Sequence, residues 1–304
     1  MTPSFQAEPV RVRVPATSAN LGPGFDALGL ALDLVDDLRS RVTASGLTVD
    51  VAGEGESLPR DENHLVVRAM RATFTRLGGQ PDGLEVTCTN RIPHGRGLGS
   101  SAAAIVGGIL LARALVLDGD ALLPATDVLA LASELEGHPD NVAPALLGGL
   151  TVAWLDESHG GSARAVRLDC DARVRPVAFV PPFQASTEQA RGLLPATVSH
   201  ADAAANAGRA ALLVAALTTA PEHLLAATGD RLHQRYRAPT MPASAALMSA
   251  LRADGLPAVI SGAGPSVLVL ARDDLEVERA MRFAPENWRA MELAAAARGG
   301  HVLS

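Results

Sequence analysis

A glycine-rich segment at residues 93–103 constrains the fold more than any other part of the chain. It is followed at once by a mostly apolar run from Ile105 to Leu117. Gly97 and Gly99 permit backbone torsions that other residues avoid, so successive N–H groups can point toward one ligand. A helix that begins near Ser100 adds its unpaired amides and the positive end of its dipole. The segment therefore predicts an anion site, and the first hypothesis is a cradle for nucleotide phosphates.

Two serines, Ser100 and Ser101, distinguish this segment from the usual P-loop, which places a lysine before its Ser or Thr. The chain contains no lysine, and all 26 basic residues are arginine. Glycines at a helix start also permit close helix packing, which is the structural alternative. The double serine after Gly-Leu-Gly, with Pro93 before it and two alanines after it, favours binding of a phosphate oxygen or a metal ion.

The composition indicates a globular protein with no nucleic-acid surface. A length of 304 residues is enough for one large or two smaller domains with a substantial core. The formal net charge is −7 and no basic cluster is present, so we expect no nucleic-acid partner. Cys88 and Cys170 lack metal-ligand spacing and predict buried thiols in a reducing compartment. Without a signal-peptide core or an apolar run of membrane length, we expect a cytoplasmic protein with no membrane partner.

The spacing of apolar residues predicts an α+β chain. The first strand is expected at Val10 to Val14, ended by Pro15, with two separate strand-like runs at residues 27–34 and 39–42. Further strands are expected at residues 47–51, 84–89, 150–155, 173–180, 258–260, 267–270, 288–293 and 301–303. Helices are expected at residues 65–77, 105–117, 125–135, 201–217, 222–232, 243–253 and 274–283. This order fits an α+β sandwich divided into residues 1–160 and 161–304.

A polar, glycine-bearing loop from Pro15 to Asp26 follows the first strand. Its amide and carboxylate are suited to holding a small polar substrate. Asp26 can orient a hydroxyl or accept its proton, and Asn20 can bind a second polar group. The structural alternative is a tight turn in which both side chains bond to local backbone.

Residues 134–141 contain three carboxylates, an imidazole and an amide, namely Glu134, Glu136, His138, Asp140 and Asn141. A solvated helix end is one explanation. The other is a Mg²⁺ ligand from one glutamate and a substrate contact from His138, because Mg²⁺ on nucleotide phosphates uses few protein oxygens. A zinc site is not favoured, because no second His or Cys stands at ligand spacing.

A second glycine-rich loop lies at residues 261–266, directly between two apolar runs. Alone it would fit a hairpin or a close backbone approach. Beside the first glycine-rich segment, Gly262 and Gly264 are better placed to cover a nucleotide.

Two arginines are candidates for a carboxylate clamp. Arg191 follows Ser186 and Thr187, which have the character of a helix cap, and Arg237 is a surface arginine by default. A guanidinium offers the planar two-point contact that a carboxylate favours.

All these segments occur in the order found in one family. The chain resembles the homoserine kinases of the GHMP kinase superfamily from about Val10 to Leu303. Residues 93–103 are similar to the phosphate loop of the whole superfamily, whereas residues 15–26, 136–144 and 186–191 are similar to homoserine kinases in particular. The resemblance implies a two-domain GHMP kinase fold. Its N-terminal domain would be like domain 2 of ribosomal protein S5 and its C-terminal domain ferredoxin-like.

The activity that the resemblance implies is ATP-dependent phosphorylation of the side-chain hydroxyl of L-homoserine, in threonine biosynthesis, with Mg²⁺. Homoserine would be bound by five residues: Asn20, Asp26, His138, Arg191 and Arg237. Asp26 would face the hydroxyl and the two arginines the carboxylate.

The resemblance likewise implies the nucleotide and metal contacts. Asn63 would contact the adenine side, and Thr187 the transferred phosphoryl group. Mg²⁺ would be held by Ser101 and one glutamate, either Glu136 or Glu134. The phosphates would lie on Pro93, His94, Gly95, Arg96, Gly97, Leu98, Gly99, Ser100, Ser101, Ala102 and Ala103.

One position departs from the pattern of several GHMP kinases, which place an aspartate base with a lysine partner near the acceptor hydroxyl. Asn141 stands at the comparable position here, and the chain has no lysine. We therefore expect direct in-line attack by the hydroxyl, since phosphoryl transfer depends mostly on positioning and charge stabilisation. Asp26 or Asp140 would at most assist proton transfer.

Two other functions remain open from the residues alone. One is a GHMP kinase for mevalonate, shikimate or a sugar, although two arginines and His138 suit a zwitterionic amino acid better than a neutral sugar. The other is a non-catalytic metabolite sensor, which would be expected to lose the loop serines or the metal glutamates. A homodimer is left open.

Overall fold

The computed structural model describes residues 3–185 and 187–304, except for the side chain of Thr187. Its strands are β1 Val10–Ala19, β2 Leu28–Thr43, β3 Gly46–Gly53, β4 Gly83–Asn90, β5 Leu150–Asp156, β6 Ser162–Leu168, β7 Arg175–Val180, β8 Ala258–Ile260, β9 Val267–Ala271, β10 Arg289–Glu292 and β11 His301–Val302. Its helices are α1 Leu65–Arg76, α2 Ser100–Leu115, α3 Gly119–Leu122, α4 Ala125–Glu136, α5 Pro139–Leu147, α6 Thr187–Gly192, α7 His200–Thr218, α8 Leu224–Ala227, α9 Gln234–Arg237, α10 Pro242–Ala253 and α11 Asp274–Met281. Short 3₁₀ turns lie at Glu157–His159, Pro221–His223 and Ala238–Thr240.

The larger sheet is built around β1 and β2. Its order is β11-β1-β2-β4-β3, with β5 also paired to β2 and β6 paired to β5. All of these pairs are antiparallel except β3 with β4. The α2 helix packs on β1 and buries almost its whole apolar surface, as expected for a helix with no polar face. This packing fixes the start of α2, and hence the glycine-rich segment, against the sheet.

Glycine explains how closely α1 and α2 approach. A Cβ built on Gly108 of α2 would lie 2.5 Å from the Val66 carbonyl oxygen of α1. Any larger residue would push the two helices apart, so the small side chain here is a packing requirement.

The smaller sheet has four strands in the order β10-β7-β9-β8. Along the chain β7 is followed by helices, then β8, β9, α11 and β10, which is the β-α-β-β-α-β order of a ferredoxin-like unit. Its own apolar core includes Val177, Phe179 and Val269, all fully buried. The predicted α+β class is confirmed, and the structure divides the strands between two sheets.

Several predicted boundaries were wrong. Pro15 does not end β1, because the missing N–H falls at a register shift between Pro15 and Ala16, after which pairing with β2 resumes. The two runs at residues 27–34 and 39–42 form one strand, β2.

The helix expected at residues 222–232 is also wrong. It is reduced to α8, since Asp230 accepts the backbone N–H groups of Leu232, His233 and Gln234 and competes with helical bonding. No prediction was made for α5 or β6, which the structure adds.

The expected division between residues 160 and 161 falls in the turn that joins β5 to β6, two strands of the larger sheet. The chain also returns to that sheet at its end, where β11 pairs with β1 and the Asp33 N–H donates to Ala294 O over 3.0 Å. The division remains a prediction. We propose instead that residues 175–292, from β7 to β10, form the smaller unit, and that residues 3–174 and 293–304 form the larger one.

Within the described residues, no helix has the length and hydropathy of a membrane span. Both cysteines are free. Cys88 is buried, as predicted, whereas Cys170 is half-buried. Burial raises the pKa of each thiol to about 12, which disfavours the reactive thiolate.

Candidate active site

The glycine-rich segment forms a tight loop between β4 and α2. Gly95, Gly97 and Gly99 all adopt positive φ, at 66°, 77° and 71°. A Cβ on Gly99 would lie 1.9 Å from Thr17 Oγ1, and one on Gly97 would lie 2.4 Å from Ser261 O. Gly99 precedes α2 without a side-chain cap, so the first amides of the helix are not occupied by a capping side chain. This arrangement is suited to an anion.

Three segments interlock around this point: the end of β1 with the loop after it (residues 15–26), the glycine-rich segment with the start of α2 (residues 93–103), and the loop at residues 261–266. Ser261 Oγ lies 2.5 Å from Gly97 O and 2.8 Å from Ser18 Oγ. The Gly262 N–H donates to Ala19 O over 3.1 Å, and the Ser266 N–H donates to Arg96 O over 3.2 Å. The second glycine-rich loop is therefore fixed against the first by backbone and hydroxyl contacts.

A cavity of about 280 Å³ lies where the three segments meet α5 and α6. It brings together residues that are far apart in the sequence. Its lining includes Asn20, Asp26, Gly95, Gly97, Gly99, Ser100, Ser101, Glu136, His138, Asn141, Arg191, Arg237, Gly262 and Gly264.

Asn20 and Asp26 are held in unusual backbone conformations, with φ of 66° and 54°. The Asn20 amide donates to Gly262 O over 3.0 Å and accepts the Asp26 N–H over 2.9 Å. Asn20 thus performs the structural task of a turn residue, and it lines the cavity as well. The Asp26 carboxylate faces outward from this turn and receives two hydrogen bonds from Arg191, of 2.8 and 3.2 Å.

Arg237 is buried with 2% of its surface exposed, and so it is not the surface arginine expected by default. Its Nη1 donates to His233 Nδ1 over 3.2 Å, while its buried Nε has no hydrogen-bond partner. Burial and the nearby Arg191 charge lower the pKa of the Arg237 guanidinium. Asp26, Asp230 and Asp140 oppose this pKa shift from a distance, but none of them forms an ion pair with Arg237 within the described residues. A buried guanidinium without a direct carboxylate contact is suited to an anionic ligand.

Sequence reasoning missed His233 and Phe25, which support Arg237. The Phe25 ring stacks on the His233 ring with centroids 5.1 Å apart, and the Arg237 guanidinium lies 5.3 Å from the Phe25 centroid. Two signals in the sequence were available. Phe25 stands within the polar loop, and His233 precedes Arg237 at the spacing of one helical turn.

The cluster at residues 134–141 divides between the cavity and the surface. Glu134 pairs with Arg76 over 2.8 Å on the exposed face of α4, away from the cavity. Glu136 instead accepts a hydrogen bond from Ser101 Oγ at the start of α2. Burial raises the pKa of the Glu136 carboxyl. Of the two glutamates, only Glu136 lies beside the phosphate loop.

His138 and Asp140 form a pair at the start of α5. His138 Nδ1 lies 2.6 Å from Asp140 Oδ1, and only 2% of Asp140 is exposed. This bond raises the pKa of the His138 imidazole, although burial opposes the shift. Asn141, the next residue, accepts a hydrogen bond of 2.8 Å from Thr17 Oγ1, which fixes its amide at the cavity wall.

A second cavity of about 350 Å³ adjoins the first, and the two share Gly95, Ser100 and Ser101. Its lining includes Asn63, His94 and several apolar side chains, such as Leu38, Leu65 and Val66. Asn63 therefore lies on this side of the phosphate loop and not beside Asp26. The His94 imidazole has a lowered pKa because it is partly buried.

The side chains of five other predicted phosphate-loop residues are buried or directed away from the cavity. The Arg96 guanidinium donates to the carbonyls of His94, Pro181 and Pro182 over 2.8–2.9 Å, so its side chain faces away from the cavity. Four other members of this loop have fully or almost fully buried side chains, namely Pro93, Leu98, Ala102 and Ala103. Thr187 begins α6, beside the cavity residue Ala185, while Ser186 lies outside the described residues.

Comparisons with known proteins identify the family of this chain. The model for the GHMP kinases N-terminal domain matches residues 64–149, and that for the GHMP kinases C-terminal domain matches residues 204–290. The chain is 62% identical to the homoserine kinase of Streptomyces avermitilis, covering 99% of this chain and 98% of that protein. It is 52% identical to the homoserine kinase of Clavibacter michiganensis, with coverage of 96% and 93%.

Solved structures confirm the expected GHMP kinase fold. Homoserine kinase from Cytophaga hutchinsonii superimposes with a TM-score of 0.82 at 26% identity, covering 99% of this chain and 98% of that one. Mevalonate diphosphate decarboxylase from Staphylococcus aureus, at 14% identity and a TM-score of 0.67 over 98% of both chains, shows the fold alone. The chain belongs to the GHMP kinases and, within them, to the homoserine kinase family.

Proposed function

We propose that this kinase transfers the γ-phosphoryl group of ATP to the side-chain hydroxyl of L-homoserine, giving O-phospho-L-homoserine and ADP for threonine biosynthesis. One observation carries the proposal beyond family membership. The glycine-rich start of α2 opens on the same cavity as Asp26, His138, Arg191 and Arg237. This arrangement supports a phosphate site next to a site for a small zwitterion.

ATP would occupy both cavities. Its phosphates would lie on the loop at residues 93–103 and on the first turn of α2, where backbone amides and the helix dipole stabilise negative charge. The more apolar second cavity, with Asn63 at its edge, suits adenine. Because the cavities meet at Gly95, Ser100 and Ser101, the γ-phosphate would point into the first cavity.

Homoserine would be held at its carboxylate by the two arginines and at its hydroxyl by Asp26. The carboxylate would bind Arg237, whose buried guanidinium makes no ion pair within the described residues, with Arg191 as its second contact. Asp26 now pairs with Arg191, so part of that pairing would be exchanged for contacts with the substrate. Asp26 would then orient the hydroxyl, while His138 and Asn20 would complete the wall.

The residues present fit Mg²⁺. The described residues contain no cluster of three or more metal-ligating side chains. Mg²⁺ bound to nucleotide phosphates nonetheless needs only one or two protein oxygens. Ser101 and Glu136 place a hydroxyl and a carboxylate oxygen together beside the phosphate loop. When bound, Mg²⁺ would neutralise charge on the β- and γ-phosphates.

The reaction we infer is a single in-line displacement. The homoserine hydroxyl oxygen forms a bond to the γ-phosphorus, the bond to the β,γ-bridging oxygen breaks, and ADP leaves with that electron pair. The hydroxyl proton passes to a phosphoryl oxygen. Asp26, Glu136 and Asp140 are each engaged by Arg191, Ser101 and His138 respectively, so no unpaired carboxylate is poised as a strong base among the described cavity residues.

Within this scheme Asn141 and Thr187 have positioning tasks. Asn141, fixed by Thr17, would orient the acceptor with its free amide N–H₂. Thr187 at the start of α6 would contact the transferred group. Asp140 favours the imidazolium form of His138, which would place positive charge in the cavity that we propose for the phosphoryl group.

A coupled ADP-release assay tests the function directly. Mg·ATP would be offered with L-homoserine, mevalonate, shikimate or galactose as acceptor. We expect turnover with homoserine at a kcat/KM far above that of the other three. A different preferred acceptor would refute the assignment of Arg191 and Arg237 to the homoserine carboxylate. ATP binding without turnover of any acceptor would favour a non-catalytic metabolite sensor.

A cytoplasmic location and a homodimer stay predictions, as does the expectation of neither nucleic-acid nor membrane partners.

A further inference from the structure

Arg237 is held in the cavity wall by a hydrogen bond to His233, which is itself fixed by the protein. His233 is fully buried, and its Nε2 lies 2.8 Å from Gly22 O. A carbonyl oxygen only accepts, so Nε2 carries the proton and donates this bond. In the neutral ring Nδ1 then has a lone pair, which accepts the hydrogen bond from Arg237 Nη1.

Neutral His233 is consistent with its surroundings. Burial lowers the pKa of the imidazole, and the positive charge of Arg237 acts in the same direction. Asp230, on the preceding turn, and Asp26, on the loop after β1, oppose the shift. A proton on Nδ1 would also place two donors face to face at 3.2 Å.

The position of His233 is itself fixed from three sides. Asp230 accepts its backbone N–H over 3.1 Å, the Phe25 ring stacks on its imidazole at an interplanar angle of 25°, and Gly22 accepts from its Nε2. Gly22 and Phe25 belong to the same loop as Asp26. The loop that presents Asp26 to the substrate therefore also determines where Arg237 lies.

We infer that His233 is a positioning residue for recognition of the substrate carboxylate. It holds one edge of the Arg237 guanidinium through Nδ1 and thereby directs the remaining N–H groups toward the cavity that Asp26 and Arg191 line. This inference rests on the proposed function. It extends that function to substrate preference. The preference for an α-amino acid over a simple amino alcohol would depend on His233, a residue that does not contact the substrate.

Two substitutions separate the two hydrogen bonds of His233. In His233→Gln the amide nitrogen replaces Nε2 and keeps the bond to Gly22, but no acceptor faces Arg237. In His233→Asn the amide oxygen replaces Nδ1 and keeps the acceptor. His223→Gln, at an exposed histidine on the 3₁₀ turn after α7, is the matched control.

The experiment measures kcat, both KM values and the inhibition constant of 3-aminopropan-1-ol, which is homoserine without its carboxylate. His233→Gln is expected to raise the homoserine KM about tenfold, with kcat and the ATP KM within about twofold, because it removes binding that ground state and transition state share. The inhibition constant of 3-aminopropan-1-ol should also stay within about twofold, because this competitor has no carboxylate for Arg237 to bind. His233→Asn should restore most of the homoserine affinity, and His223→Gln should change nothing.

Equal weakening of homoserine and 3-aminopropan-1-ol by His233→Gln would overturn the inference, because it would indicate general disruption of the cavity. An unchanged homoserine KM would overturn it as well. If the glutamine variant does not fold, His233→Asn decides: a homoserine KM close to the unsubstituted value supports the inference, and a tenfold rise contradicts it. A lack of homoserine turnover in the unsubstituted chain would instead refute the proposed function.

Discussion

Individual side chains in this site combine a structural and a binding function, and sequence patterns indicate only one of the two. Asn20 was proposed either as a turn residue or as a substrate contact. It forms the turn with both ends of its amide and lines the cavity at the same time. Arg237, expected on the surface, is buried beside His233. Burial of this kind depends on residues distant in the sequence, so no local pattern predicts it.

Glu136 and Glu134 provide a matched test of metal binding. We expect Glu136→Gln to lower kcat about 100-fold and to raise the Mg²⁺ concentration needed for half-maximal rate, because it removes charge stabilisation in the transition state. Glu134→Gln removes only an exposed ion pair with Arg76 and should leave both quantities nearly unchanged. Titration of initial rates with Mg²⁺ measures both. Equal effects of the two substitutions would contradict the assignment.

Asp26 is expected to serve both binding and catalysis. Asp26→Ala should raise the homoserine KM and lower kcat together, by about tenfold or more each, because the carboxylate orients the hydroxyl and holds Arg191 in place. Steady-state kinetics with varied homoserine at saturating ATP measure the two effects. An unchanged KM would show that Asp26 does not contact the substrate.

At the scale of the element, the loop before α2 was the part that sequence predicted best. Its glycines, its serines and the apolar helix after it have strong local signals, and the structure places that helix start on the cavity. The α5 helix was not predicted, because Pro144 lies inside it and the polar residues at its start resemble a loop. The helix expected at residues 222–232 was wrong because the Asp230 side chain competes for backbone N–H groups.

At Gly99 the fold leaves no room for a side chain, whereas at Gly208 it does. Gly99→Ala places a methyl group at positive φ and within 1.9 Å of Thr17 Oγ1, so we expect loss of most ATP affinity and lower stability. Gly208 lies within α7 with no atom close to a built Cβ, so Gly208→Ala should stabilise the protein by roughly 0.5–1 kcal/mol. Calorimetric ATP titration and thermal unfolding measure the two outcomes. Normal ATP binding by Gly99→Ala would contradict the steric argument.

At the scale of the whole molecule, the two-sheet fold brings together loops from both ends of the chain. The general α+β class followed from the apolar spacing, and the two-domain fold followed from the resemblance. A strand at residues 301–303 was expected and is present as β11, but its pairing with β1 was not predicted, because β11 has only two residues and β1 is almost the whole chain away. Non-local pairing of so short a segment leaves no periodic signal.

Asp36 makes global stability depend on pH. It is 5% exposed, and burial raises the pKa of its carboxyl to about 6 although Arg91 and Ile92 donate N–H groups to it. The folded state therefore binds this proton more tightly than the unfolded state. Its contribution to stability is full below about pH 4 and is lost as pH rises through about 6.

We expect Asp36→Asn to remove this dependence. The free energy of unfolding of the variant, relative to the unsubstituted chain, should rise by about 3 kcal/mol between pH 3.5 and 7, an order-of-magnitude value from the shift of about two pKa units. Asp50→Asn, at an exposed position on β3, is the control and should leave the difference flat. Urea unfolding at several pH values measures it. A difference that does not vary with pH would refute the burial argument for Asp36.

The central claim is that homoserine attacks the γ-phosphate directly within the cavity shared by the phosphate loop and the two arginines. The most direct test is the stereochemistry of transfer from ATP whose γ-phosphorus is made chiral with oxygen isotopes. The account predicts O-phospho-L-homoserine with inverted configuration at phosphorus, as a single in-line displacement requires. Retention of configuration would require a phosphoenzyme and would contradict the account.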